Sequence, residues 1–226
     1  ALDPAYVEAL KAEYVGLWYR RFVLGEWVLA EGAVYDMWDE QQHVVDVLPQ
    51  IVQWISVGID YGTTNPFAAI MLGLGVDGRL YLAREWRYDS KLNRRALTDV
   101  EYSQRLRAWL GEGEHPQYVI VDPSAASFRA QLHADGLASR LGDNEVLPGI
   151  RTVASLLATR RLLVHRSCKG FIEEVPGYSW DDEKAEQGED APIKVADHSL
   201  DAARYAVHTT RAVWQYQLRE PVLEAA

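Results

Sequence analysis

The sequence predicts an α/β domain: a mixed sheet, made of an antiparallel three-strand meander plus parallel strands, flanked by helices. Three observations carry this expectation. Apolar, β-prone runs at 53–60, 67–74 and 79–87 are separated by Gly62-Thr63-Thr64-Asn65-Pro66 and by Val76-Asp77-Gly78, and short turns of this kind join hairpins. Helical and strand-like patterns then alternate, which is the mark of strands laid parallel with helices crossing over. Finally, 226 residues of which 48% are hydrophobic suffice for a sizeable core without disulfide or metal staples.

Taken in order, residues 4–24 predict a helix, because Tyr6, Leu10, Tyr14, Leu17 and Trp18 recur at three- and four-residue spacing before Gly25. Short apolar pieces at 27–29 and 34–35 follow, and the boundary of the main domain is expected near 45–52, giving a helical linker segment (1–50) and a main domain (51–226). After the meander, 94–110 predicts a helix with Leu97, Tyr102, Leu106 and Leu110 on one stripe. A strand at 117–122, a helix at 125–134, a weaker strand near 144–147, a helix at 150–158 and an apolar piece at 162–165 come next, with a last helix at 197–215. Two β-prone arms, Tyr178-Ser179-Trp180 and Ile193-Lys194-Val195, predict a β-hairpin before that helix, with 181–190 as an acidic, mobile loop at its tip.

The net charge of −10 argues against a uniformly basic nucleic-acid binder, but the charge is segregated. Residues 151–170 hold Arg151, Arg160, Arg161, Arg166 and Lys169 with no acid, for +5, whereas 178–195 sum to −4. A local phosphate-binding face is therefore compatible with the composition, alongside the plainer reading of solvated helix faces. The single cysteine, Cys168, excludes an intramolecular disulfide and a cysteine-based zinc site, and suits a reducing compartment. No run approaches a membrane span and the first residues lack a signal-peptide pattern, so a soluble cytoplasmic protein is expected.

Three carboxylates carry the functional clue. Asp60 closes the first strand within Gly58-Ile59-Asp60-Tyr61-Gly62-Thr63, Asp122 ends Tyr118-Val119-Ile120-Val121-Asp122-Pro123, and Asp201 lies in Asp197-His198-Ser199-Leu200-Asp201-Ala202-Ala203-Arg204-Tyr205. Acids aimed at one cleft repel each other unless a cation joins them, which implies divalent metal. His198, three residues before Asp201, shares its helix face and is a candidate ligand or positioning group, while Asp197 reads more plainly as the helix N-cap than as a ligand. The bland alternatives are turn formation by Asp60 and Asp122 and pairing of Asp201 with Arg204 or Arg211.

The order βββ-α-β-α-β-α with acids at these places resembles the ribonuclease H-like nuclease superfamily. The likeness narrows to the nuclease domain of tailed-bacteriophage terminase large subunits. Residues 20–35 (Arg-Arg-Phe-Val-Leu-Gly-Glu-Trp-Val onward) look like that family's junction between motor and nuclease, and Asp60-Tyr61-Gly62, Val121-Asp122-Pro123, Pro148-Gly149-Ile150, Tyr178-Ser179-Trp180 and the Asp197–Tyr205 block follow in order. The resemblance implies an endonuclease that cuts double-stranded phage DNA concatemers during genome packaging in the host cytoplasm. Its implied partners are an ATPase domain of the same protein, the terminase small subunit and the portal. No Gly-x4-Gly-Lys-Ser/Thr phosphate loop occurs, so the chain is expected to be the nuclease half.

Two-metal phosphodiester hydrolysis with Mg²⁺ or Mn²⁺ agrees with the residues: Asp60 would bridge the ions, Asp122 hold one and Asp201 the other, with His198 beside them. Expected phosphate contacts are Arg160, Arg161, Arg166 and Lys169, then Lys91, Arg94 and Arg95. Two other classes compete. Gly58–Asn65 also looks like the first phosphate loop of actin-like ATPases, and a non-catalytic DNA-docking module would keep the fold without the chemistry.

Overall fold

The computed structural model describes residues 6, 14–111 and 115–220. Helices α1 (Gly16–Phe22) and α2 (Glu40–His43) precede a two-residue strand, β1 (Val44–Val45). Three long strands follow, β2 (Ile51–Asp60), β3 (Phe67–Gly75) and β4 (Leu80–Tyr88). The chain then alternates through α3 (Asp99–Gly111), β5 (Tyr118–Val121), α4 (Ala126–Ala134), β6 (Arg140–Leu141), α5 (Val146–Ala158) and β7 (Leu162–His165). The described residues close with α6 (Lys169–Glu174), α7 (Asp182–Glu186), α8 (His198–His208) and α9 (Arg211–Trp214).

Among the described residues one seven-stranded sheet runs in the order β1-β7-β4-β3-β2-β5-β6. β2, β3 and β4 form the expected antiparallel meander, and every other pairing, β2 with β5, β5 with β6, β4 with β7 and β1 with β7, is parallel. β3 is central and buried along its whole length, which explains its uninterrupted small and apolar sequence. Its alternate residues feed two cores. Ala68, Ile70 and Leu72 face α5 and α8, whereas Phe67, Ala69 and Met71 pack with Tyr102, Leu106 and Phe128 from α3 and α4.

Several elements differ from the sequence expectation for identifiable reasons. The weak strand expected at 144–147 is instead the start of α5: Pro148 falls in its first turn, where a missing N–H costs no hydrogen bond, and the short β6 lies earlier. α3 begins at Asp99 rather than 94, because Thr98 and Glu101 form a reciprocal cap, with Thr98 N donating to Glu101 Oε2 at 3.0 Å and Glu101 N to Thr98 Oγ1 at 3.3 Å. The final helix breaks after residue 208, where Thr210 Oγ1 bonds back to the Ala206 carbonyl at 2.6 Å.

The hairpin before α8 is reduced to one antiparallel bridge, Trp180 to Pro192. Its acidic tip is a short helix, α7, capped by Asp181 through Lys184 N at 3.1 Å. Asp190 in this tip is held by Arg21, whose Nη2 donates to Oδ1 at 3.1 Å. Residues 14–50, expected as a linker, pack onto the sheet: Trp18, Val34 and Tyr35 enter the core and β1 adds an edge strand. Much of the helix expected at 4–24, at residues 4–5 and 7–13, lies outside the described residues.

Candidate active site

The carboxyl ends of β2, β4, β5 and β7 all lie along one edge of the sheet, because these strands are mutually parallel. Asp60 ends β2, and Asp122 follows β5, its N–H donating to the Ile59 carbonyl at 3.0 Å. Asp201 arrives from the third direction, on α8. That helix lies directly on β2 at Gly58, where a Cβ would sit 2.0 Å from the Ala202 carbonyl oxygen and 2.5 Å from Ala206 N. Only glycine permits this approach, so a residue that reads as a strand irregularity sets the height of α8 over the sheet.

His198, at the start of α8, places Nδ1 2.9 Å from Asp60 Oδ2. Burial raises the Asp60 carboxyl above its ordinary range; His198 opposes the shift and the Asp201 and Asp122 charges add to it, so the three acids feel one another. The His198 imidazole is raised in turn by its hydrogen bond to Asp60, against its own burial.

The carboxylate oxygens of Asp201 and Asp122 are engaged by groups of this chain. Asp201 Oδ1 accepts from Arg204 Nε at 3.0 Å and Oδ2 from Lys194 Nζ at 3.0 Å. Asp122 closes a turn through Ser124, with Oδ1 accepting from N at 2.9 Å and Oδ2 from Oγ at 2.8 Å. The pairing with Arg204 and the turn at Asp122, weighed as structural alternatives, are thus both present beside the shared site.

Asp197 does not cap α8. Its Oδ2 stands 3.1 Å from Lys194 Nζ, outside hydrogen-bond geometry, and is a buried oxygen without a hydrogen-bond partner. Among the described residues no three acidic, histidine or cysteine side chains converge closely enough to enclose a metal ion. The donor chemistry nevertheless fits one: carboxylates and an imidazole around a desolvated, mutually repelling acidic cluster that recruits Lys194 as its cation.

The basic residues separate by topology. Arg160 and Arg161 precede β7, and the Arg161 carbonyl accepts from Leu80 N at 2.8 Å, at the start of β4. They lie at the opposite end of the sheet, about 25–30 Å from Asp60 by strand length. Arg166 follows β7 and is engaged by Asp46 and by Glu40, the latter at 3.2 Å. Lys169 opens α6, while Lys91, Arg94 and Arg95 follow β4 on the Asp60 edge, about 10 Å across two strand spacings.

Sequence reasoning placed Lys194 in a hairpin arm, with no role at the site, and did not single out Gly58, Glu85, Arg87 or Glu174. The available signals were a glycine inside a strand and an Arg-Glu-x-Arg run in the second half of a strand that begins apolar.

An acid-bearing sheet edge faced by α8, on a meander extended by parallel strands, defines a ribonuclease H-like fold. Solved structures place it within that class. The large terminase of a thermophilic bacteriophage superposes with a TM-score of 0.86 at 41% identity, over 92% of this chain and 53% of that one. The nuclease domain of the P22 large terminase gives 0.61 at 22% identity, over 83% and 95%. That of phage SPP1, solved with manganese bound, gives 0.55 at 15%, over 80% and 99%, and both nuclease domains, below a quarter identity, show the fold alone. No family model and no curated protein matches. The chain belongs to the large-terminase family, its fold is that of the solved large-terminase nuclease domains, and it spans about half the length of the large terminase with which it shares 41% identity.

Proposed function

We propose that this chain is a divalent-metal-dependent endonuclease that cuts double-stranded phage DNA concatemers during genome packaging, by two-metal-ion hydrolysis with Mg²⁺ or Mn²⁺. The observation that carries the reading is that Asp60, at one sheet edge, feels the charges of both Asp122 and Asp201, in a chain 41% identical to a large terminase. The SPP1 and G20c nuclease domains, solved with manganese and cobalt, support a divalent ion in this fold. The ATPase domain of the same protein, the terminase small subunit and the portal are the proposed partners, in the host cytoplasm.

Asp60, Asp122 and Asp201 would hold the ions, with His198 as ligand or positioning group. Bound divalent ions supply Lewis acidity to the phosphoryl group, an activated water and charge neutralisation at the leaving oxygen. The protein's own work is orientation. Arg204, its side chain 2% exposed, holds Asp201 Oδ1 and leaves Oδ2, where Lys194 now sits, as the oxygen for a cation. Ser124 fixes the Asp122 carboxylate, and His198 fixes that of Asp60. Lys91, Arg94 and Arg95 are the proposed phosphate contacts on this edge, with Lys169 and Arg166 farther out. Arg160 and Arg161, at the other end of the sheet, would reach only a different part of a long duplex.

Plasmid cleavage tests the reading: nicking or linearisation should require Mg²⁺ or Mn²⁺, stop with chelator and fail in Asp60→Ala. Cleavage that survives both chelation and that substitution would refute it.

A further inference from the structure

Neither α6 nor α8 is capped by its own preceding residue: Cys168 and Asp197 make no side-chain bond to the first turn. Acids from elsewhere do this instead. Glu85, on β4, accepts from Gly170 N at 2.6 Å and Phe171 N at 3.2 Å. Glu174, the last residue of α6, accepts through Oε2 from Ser199 N at 2.7 Å and Leu200 N at 3.3 Å, and through Oε1 from Arg87. Arg87 lies two residues after Glu85, on the same face of β4, and also donates to Ser199 Oγ at 2.7 Å. Glu174 is 6% exposed. Gly170 makes room for the cluster, since a Cβ there would lie 2.6 Å from both Arg87 Nη1 and Ser199 Oγ and 2.7 Å from Glu85 Oε1.

A helix start carries unpaired N–H groups and a partial positive charge, so a buried carboxylate that accepts two of them fixes both the height and the rotation of the first turn. In α8 that turn carries His198 and Asp201. The relay runs from β4 through Glu85 to α6 and through Glu174 to α8, while β4 is joined through β3 to β2 and Asp60. The two sides of the acidic site are therefore referenced to one rigid sheet.

We propose that Glu174 is a positioning residue for the metal site, holding His198 and Asp201 at their working distance from Asp60; this rests on the nuclease reading above. The test is calorimetric titration of the DNA-free chain with Mn²⁺, paired with residue-resolved amide exchange. Ser199 and Leu200 amides should be strongly protected in the wild type, although first-turn amides are ordinarily open. Folded Glu174→Gln should bind Mn²⁺ about tenfold more weakly, the scale of a lost outer-shell contact. A merely structural loss would lower the thermal midpoint and leave the Mn²⁺ dissociation constant of the folded fraction unchanged.

Equal Mn²⁺ affinity in folded Glu174→Gln, or free exchange of both amides in the wild type, overturns the inference. Should Glu174→Gln not fold, Glu174→Asp, which keeps the charge and shortens its reach, takes its place with the same two outcomes. A wild-type chain that takes up no Mn²⁺ overturns the nuclease reading itself, a result distinct from wild-type uptake that Glu174→Gln leaves unaltered.

Discussion

Lys194 Nζ donates to Asp201 Oδ2 at 3.0 Å, so an internal ammonium stands on the helix-borne acid of the site. Burial works against the Lys194 charge, yet Asp201 and Asp197 raise its pKa on balance. A divalent ion at Asp201 must displace it. Lys194→Met should tighten Mn²⁺ binding to the DNA-free chain by a few-fold, in keeping with roughly 0.5–1 kcal/mol for a half-exposed pair. Weaker Mn²⁺ binding in the variant would show that Lys194 supports the site rather than competing for it.

The three carboxylates should be equally necessary for cleavage and unequal in stability. Asp60→Asn, Asp122→Asn and Asp201→Asn should each remove most Mg²⁺-dependent cleavage. Burial raises the folded pKa of Asp60 above its unfolded value, so the stability it contributes is present below the unfolded pKa and lost as pH rises through the folded one. At neutral pH and without metal, Asp60→Asn should therefore raise the thermal midpoint. Asp201→Asn should lower stability by about 2 kcal/mol, because it strips the charged partner from buried Arg204. Differential scanning calorimetry with chelator present distinguishes the two, and a higher midpoint for Asp201→Asn would contradict the role given to Arg204.

His198 binds Asp60 through Nδ1, which makes it either a ligand or the group that orients one. His198→Ala should cost less activity than loss of any carboxylate, and the deficit should differ between Mn²⁺ and Mg²⁺ if the imidazole is a ligand, since Mn²⁺ accepts nitrogen more readily. Cleavage measured in the two metals decides the matter, an equal deficit assigning the orienting role.

Phosphate contacts should divide by sheet edge. Neutralising Arg94 or Lys91 should weaken DNA binding across sequences and flatten the salt slope by ~1 each. The Arg160→Ala/Arg161→Ala pair should leave binding of a short duplex unchanged. Fluorescence anisotropy across a salt series tests both, and a flattened slope in the second variant would place DNA at the far edge.

His208 provides a pH signature away from the metal site. Thr152 Oγ1 donates to the Pro148 carbonyl and so accepts from His208 Nδ1 at 2.9 Å, with Asp143 Oδ2 at 3.5 Å from Nε2. Burial lowers its pKa below the ordinary histidine value, against the pull of Asp143. The unfolded chain thus binds the proton more readily. The stability His208 contributes is present above the unfolded pKa and lost as pH falls through the folded one. His208→Asn, whose amide mimics Nδ1–H, should lose less stability than wild type between pH 7.5 and pH 5, read from thermal midpoints; parallel curves would remove His208 as the cause.

Local pattern alone determined the meander, the helix–strand alternation and the three acids, because each depends on short-range periodicity or on a residue type at a strand end. Thr98-Asp99-Val100-Glu101 was equally local, and reads as the start of α3 once the reciprocal cap is considered. The tertiary structure decided what depends on approach between distant segments. Asp197 precedes α8, yet Glu174, more than twenty residues upstream, bonds its first amides, because α6 packs against that end. Gly58 matters for a helix some 145 residues later, and Arg160 and Arg161 are set at the far edge by the direction of β7, which composition cannot convey. Charge counted along the chain records how many cations exist, and spacing already offered Arg204 to Asp201, whereas the fold chooses Arg204 over Arg211 and adds Lys194, because desolvation makes each buried acid seek the nearest cation in space.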